Sequence, residues 1–150
     1  MLCASFAEVN GTIILHYNSN RDKAESLLQK LPGIHHRAIQ CDLSNADQVN
    51  TMFSAIDHVD IVINNAAVVE NHEIDSLSYQ DWQDIWERTI GANLIGPANI
   101  MYLASKFMIK NGGGKFINIS SRGAFRGEPS APAYGASKAG LNSLGQSLAK

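Results

Sequence analysis

Cysteine is nearly missing from this chain of 150 residues: Cys3 and Cys41 stand far apart, with no metal-ligand spacing. That excludes a disulfide framework and a zinc ribbon, and suits a reducing, cytoplasmic compartment. Charge is sparse too, at 17% of residues with a net value of -2 and no cluster of Lys or Arg. Nothing here calls for nucleic acid or a membrane surface as a partner. The five His are scattered. The only adjacent pair, His35-His36, would point to opposite faces of a strand and makes a poor chelate, so no metal site is expected. Long apolar runs are lacking as well. The most apolar region, Ile90 to Ile109, is broken by Asn93, Gly96, Pro97, Asn99 and Lys106, which rules out a spanning helix. The opening MLCASFAEVNG has neither a charged start nor the apolar core of a secretory signal.

What is present is a hydrophobic content of 45%, enough for one globular domain spanning residues 1–150. Leu2 to Glu8 reads as a helix tail stopped by Asn10-Gly11. Thr12 to Tyr17 is β-branched and apolar, a buried strand. Asp22 to Leu31 carries Ala24, Leu27, Leu28 and Leu31 at helical spacing, ending at Pro32-Gly33. A strand near Arg37 to Cys41 follows. Ser44 and Asp47 then give a capping signature for a helix with Val49, Met52, Phe53 and Ile56 inward. Val59 to Ile63 is the next strand, and Ser78 with Asp81 repeats the capping pattern. The helical region that follows runs to Lys110 and is expected in two pieces, or bent, at Gly96-Pro97. After Gly112-Gly113-Gly114 comes a strand from Lys115 to Ile119, a loop rich in Gly and Pro, and a helix opening near Tyr134 and running to Lys150. Strands and helices alternate, and the strands are too apolar for an open face. The expectation is an α/β fold, a doubly wound parallel sheet with helices on both sides.

Ligands of such sheets sit beyond the carboxyl ends of the strands. Asp42, Asn65, Ser121 and the loop after Tyr17 all fall there. Each alone reads equally as a turn residue; together they point to a crevice. Tyr134 and Lys138, four apart, share a helix face, and Ser121 precedes Tyr134 by thirteen residues at a strand end. A phenol, with a pKa of about 10 in water, is a poor acid at neutral pH. A cation one turn away favours the phenolate and brings it nearer to working pH. A Ser hydroxyl beside it could hydrogen-bond a carbonyl oxygen on which negative charge develops.

With Asn64-Asn65-Ala66-Ala67 at an earlier strand end and Asn93 inside a helix, the chain resembles the short-chain dehydrogenase/reductases over nearly its whole length. This family comprises single-domain nicotinamide enzymes with a Ser–Tyr–Lys site. The resemblance implies a Rossmann-like sheet and reduction of a carbonyl, or oxidation of an alcohol, on a small molecule. It assigns Tyr134 as proton donor or acceptor, Lys138 as the cation that tunes it and holds the nicotinamide ribose, and Ser121 as substrate hydrogen-bonder. Asn93 becomes the helical Asn that holds a proton-relay water. Asp42-Leu43 would hold the adenine ring, and Asn65 with Ala66 would lie along the cofactor. Ala67 stands where the family has Gly. The resemblance also implies a homo-oligomer, dimer or tetramer, built on the region from Trp82 to Ile109 and the Tyr134 helix.

At the end of the Thr12 strand, His16-Tyr17-Asn18-Ser19-Asn20-Arg21 holds no acid, and Asn18, Ser19 and Arg21 suit a 2′-phosphate. NADP is therefore favoured, with NAD the alternative; Arg21 read plainly is the exposed start of the next helix. The family pattern departs at the start. No Thr-Gly-x-x-x-Gly-x-Gly turn, whose N–H groups cradle a pyrophosphate, occurs in the sequence. The expected sheet is thus incomplete, without the first strand (between the Thr12 and Val59 strands) and without the last strands. The chain is then expected to be a fragment of the active enzyme. Two other functions stay open: a non-catalytic nucleotide-binding or regulatory module of the same fold, and a relative that dehydrates or epimerises.

Overall fold

The computed structural model describes residues 2–149, apart from the side chain of Leu2; Lys150, where the Tyr134 helix was expected to run, lies outside the described residues. Two compact units divide the chain, one up to Asp42 and one from Leu43 onward.

The first unit holds α1 (Leu2–Glu8), β1 (Ile14–Tyr17), α2 (Arg21–Leu28) and β2 (Arg37–Gln40). Asn10 ends α1 in the left-handed region, at φ 63°, which Asn tolerates better than most residues. β1 and β2 pair in parallel, Ile14 opposite Arg37 through Tyr17 opposite Gln40. Asn20 caps α2 by accepting from the Lys23 N–H at 3.0 Å. The helix stops at Leu28, three residues before the expected end, and Leu31 is buried from the turn that follows. β1 is shorter than expected and half-buried at all four positions rather than fully buried. Among the described residues β1 pairs with β2 alone, so its other edge carries no strand.

The second unit holds α3 (Ala46–Ser54), β3 (Ile61–Asn64), α4 (Tyr79–Ile90), a π turn (Gly91–Ile95), α5 (Gly96–Lys110), β4 (Lys115–Asn118), α6 (Gly123–Arg126) and α7 (Pro132–Leu148). β3 and β4 pair in parallel from Ile61–Lys115 to Asn64–Asn118, and the Asn64 Nδ2 donates a hydrogen bond to Asn118 Oδ1 at 2.8 Å. The strand–helix alternation and the parallel pairing agree with the fold expected from sequence. α3 buries Val49, Met52 and Phe53, with Ile56 just beyond its end, and Phe53 meets Phe107 of α5 at 6.3 Å between ring centroids. Each such side chain stabilises the fold by about 1.5–3 kcal/mol.

Two local expectations are corrected. The N-cap of α3 is Asn45, not Ser44, because its side chain accepts from the N–H groups of both Asp47 and Gln48 at 3.0 Å. Between Tyr79 and Lys110 the helix neither breaks nor splits at Gly96-Pro97. It widens into a π turn just before them and continues as α5, with Pro97, which has no N–H to donate, in the first turn. At Ser78 the capping expectation holds: its Oγ accepts the Asp81 N–H at 3.1 Å. The short helix α6 lies where the sequence suggested only a loop.

Candidate active site

β4 ends at Asn118, and Ser120-Ser121 continue into α6. Ser121 is half-buried, and its Oγ accepts the Gly123 N–H at 3.2 Å, which leaves its O–H proton to be given elsewhere. Two glycines let this loop lie against the first turn of α7. A Cβ on Gly135 would stand 3.2 Å from the Gly123 carbonyl oxygen, and one on Gly123 only 3.1 Å from Glu128. The strand end bearing Ser121 and the helix start bearing Tyr134 thus share a glycine-lined contact.

On α7, Tyr134 and Lys138 face the same way: the Lys138 Nζ lies 5.8 Å from the centre of the Tyr134 ring. That is within cation–π reach. Lys138 is buried, at 2% exposure, and its ammonium donates to the Ile119 carbonyl at 2.8 Å. Burial lowers the pKa of this lysine. The arrangement therefore holds an ammonium beside a phenol, at the carboxyl end of β4, at a cost in desolvation.

Asn93 lies in the π turn and is wholly buried. Its amide pairs with both backbone groups of Val68: the Val68 N–H donates to Oδ1 at 2.7 Å, and Nδ2 donates to the Val68 carbonyl at 2.8 Å. Nδ2 also reaches Ser137 Oγ at 3.2 Å, and that hydroxyl donates to the Tyr134 carbonyl at 2.7 Å. One amide thus ties the segment after β3 to the helix of Tyr134 and Lys138. Ser137 and the Ile119 carbonyl are the members of this network that sequence reasoning missed. The place of Ser137, between Tyr134 and Lys138, was the available signal. The Ile119 carbonyl had none, since a backbone acceptor leaves no mark in side-chain identity.

Asn65 and Ala66 are exposed just past the carboxyl end of β3, and Leu43 is buried, with its carbonyl against Gly96. In the first unit, Asn18 and Ser19 are exposed after β1, where the Asn18 carbonyl accepts from the Gln40 amide at 3.0 Å. Asp42 is half-buried after β2. Arg21 is the first residue of α2 and pairs with Glu25 at 2.6 Å, both side chains being largely exposed. This is the plain reading of Arg21, as the start of the next helix. The structure brings Tyr134 and Lys138 into one cluster and links Asn93 to it through Ser137. Of the remaining candidates, Ser121, Asn65 and Ala66 lie past strand ends of the second unit and Asn18, Ser19 and Asp42 past strand ends of the first, while Arg21 opens α2 and Leu43 opens the second unit.

Among the described residues no group of His, Cys, Asp and Glu could hold a metal ion, and no helix is long and apolar enough to cross a membrane.

The family described as short chain dehydrogenase matches residues 1–150. The 3-oxoacyl-(acyl-carrier-protein) reductase FabG of Staphylococcus aureus is 29% identical over 155 residues, an alignment covering 99% of this chain and 61% of the reductase. The chain thus spans about three-fifths of the length of that curated relative. Among solved structures, a metagenomic short-chain oxidoreductase in complex with NADP superposes with a TM-score of 0.84 at 23% identity, over 99% of this chain and 68% of that one. Acetoin dehydrogenase YohF from Salmonella typhimurium gives 0.83 at 24% identity, over 98% of this chain and 59% of its own. These two share the fold.

Proposed function

The chain belongs to the short chain dehydrogenase family, and on that premise we propose that it carries the catalytic half of an NADP-dependent oxidoreductase acting on a small carbonyl or alcohol. One observation carries the reading: a buried ammonium, Lys138, stands one helical turn from Tyr134 with its Nζ 5.8 Å from that ring.

The residues present suit part of such a cofactor. An ammonium has three N–H donors, and the Ile119 carbonyl takes one of Lys138's. Others can serve ribose hydroxyls, alongside Asn65 and Ala66 at the end of β3. Asp42 and Leu43 would serve the adenine, and Asn18, Ser19 and Arg21 the 2′-phosphate that distinguishes NADP from NAD. The sequence contains no Gly-rich phosphate turn, so these residues do not supply a pyrophosphate cradle. When bound, the nicotinamide supplies or takes the hydride at the carbonyl carbon. The chain's own part is the proton. Tyr134 gives it to the developing alkoxide, or takes it in the oxidative direction, while Lys138 keeps positive charge beside the phenolate. Ser121 donates to the same oxygen. Asn93 fixes the backbone of Val68 and, through Ser137, the turn that carries Tyr134. FabG's name describes a 3-oxoacyl thioester on a carrier protein, and a ketone of that class is the first substrate to try.

The test is oxidation of NADPH or NADH by an active full-length form, followed optically with a β-keto thioester and with simple ketones, comparing the wild type with Tyr134→Phe. The variant should lose at least ~10²-fold in turnover. A near-normal rate in the variant would reject the role of Tyr134. Cofactor binding with no turnover of any carbonyl would favour the non-catalytic module instead.

A further inference from the structure

Helix α7 begins without a cap of its own. Its N-cap residue, Ala131, has no side chain able to accept, and Pro132 at the first position has no N–H. The first donor that needs a partner is the N–H of Ala133. It is met from another part of the chain: Ala133 donates to His72 Nε2 at 3.1 Å. His72 lies in the segment between β3 and α4 and is 1% exposed. Its backbone N–H donates to the Ser130 carbonyl at 2.8 Å, and its Nδ1 pairs with the Glu70 carbonyl at 2.7 Å. The Trp82 ring closes the remaining side, edge-on at 5.3 Å.

This pattern fixes the imidazole. An acceptor at Nε2 and a carbonyl at Nδ1 require the neutral ring with its hydrogen on Nδ1. We propose that His72 is a positioning residue for the Tyr134 helix, acting as a remote N-cap in this single tautomer and releasing the first turn of α7 when the ring is protonated. The inference rests on the oxidoreductase reading for its effect on turnover, though not for its effect on the helix. Protonation turns the acceptor into a donor that meets the Ala133 N–H head-on. It also sets a positive charge at the positive end of the helix. Tyr134 follows Ala133 directly, so loss of this bond loosens the residue proposed to move the proton.

The charged groups around the ring are few. Glu70, two residues back, is held by Arg88 of α4 through bonds of 3.2 and 2.9 Å. The bond from that guanidinium keeps the Glu70 carboxyl below its ordinary range. Glu73 follows His72 in sequence, and on the α7 side Glu128 lies against Gly135 and receives the Ala131 N–H on its carbonyl.

Amide hydrogen exchange and ring-nitrogen NMR on the full chain test the proposal without any need for turnover. The wild type should show Nδ1–H at His72 at neutral pH. Its Ala133 amide should lose at least ~10-fold in protection, corrected for intrinsic exchange, as His72 takes up a proton. His72→Gln, whose carbonyl accepts and does not titrate, should keep that protection through the acid range. His72→Ala should lack it at every pH. An Nε2–H tautomer, or Ala133 protection indifferent to the protonation of His72, would overturn the proposal. In an active form, kcat should fall with acid in the wild type and fall less in His72→Gln, with KM for cofactor little changed. If Tyr134→Phe proves harmless, the oxidoreductase reading fails, and the exchange measurement still judges His72.

Discussion

Lys138 shows what a buried charge does to a fold. Desolvation holds its ammonium below the ordinary value of 10.5. The unfolded chain, with this lysine in water, therefore binds the proton more tightly than the native chain does. For this one group, stability rises with pH between the lowered native value and 10.5, because the unfolded state carries the extra proton across that window. Lys138→Met has no such term. Urea midpoints of the wild type should gain on those of the variant as pH climbs toward 10.5, and parallel slopes would show that the ammonium is better solvated than its 2% exposure implies. The sequence placed Tyr134 and Lys138 correctly on one face because four residues make about one helical turn. It could not show that Ile119, at the end of β4, would furnish the acceptor for the ammonium. That pairing spans nineteen residues and depends on how the strand meets the helix.

Among the elements, the helix from Tyr79 to Lys110 is the most informative. Gly96 is buried where α5 begins, and a Cβ there would stand 2.5 Å from the Leu43 carbonyl oxygen and 2.9 Å from the Leu43 Cβ. The obstacle is backbone, which cannot swing aside. Gly96→Ala should destabilise the second unit by about 1–3 kcal/mol, the usual cost of overpacking a tight contact. Denaturant melts of variant and wild type would measure it, and an unchanged midpoint would mean that Leu43 gives way. From sequence, Gly96-Pro97 reads as a break or a bend. The structure keeps the helix and moves the irregularity back to Gly91–Ile95, where the widened turn carries Asn93 into contact with Val68 and Ser137. A π turn shifts the helix register, but Gly91, Asn93, Gly96 and Pro97 already interrupt the apolar pattern there, so periodicity alone does not reveal it. Asn45 against Ser44 is a smaller case of the same kind. Both residues can cap, and only the path of the chain into α3 decides which side chain reaches the free N–H groups.

For the whole molecule, association is the open quantity. Tyr102 and Ile109, seven residues apart on α5, are 61% and 79% exposed. We propose that this face meets a second copy of the chain, as the homo-oligomer implied by the family pattern requires. Sedimentation equilibrium of the full-length form should show a dimer or larger in the wild type and a shift toward monomer in Tyr102→Glu with Ile109→Glu. A wild type that is monomeric at all concentrations would remove the proposal. The sequence by itself determined the family, the order of strands and helices apart from α6, the parallel α/β class, and the Tyr–Lys pair. These rest on local spacing and on residue type, which a linear chain states outright. The tertiary structure alone decided that Asn93 serves Val68 and Ser137, that Ile119 receives the lysine, and that a histidine sixty-one residues away caps the Tyr134 helix. Apart from the Asn93–Ser137 bond between side chains, each of these joins a side-chain polar atom to a backbone group far along the chain. Such a bond is required once both are buried, yet its partner is chosen by packing and not by the identity of either neighbour.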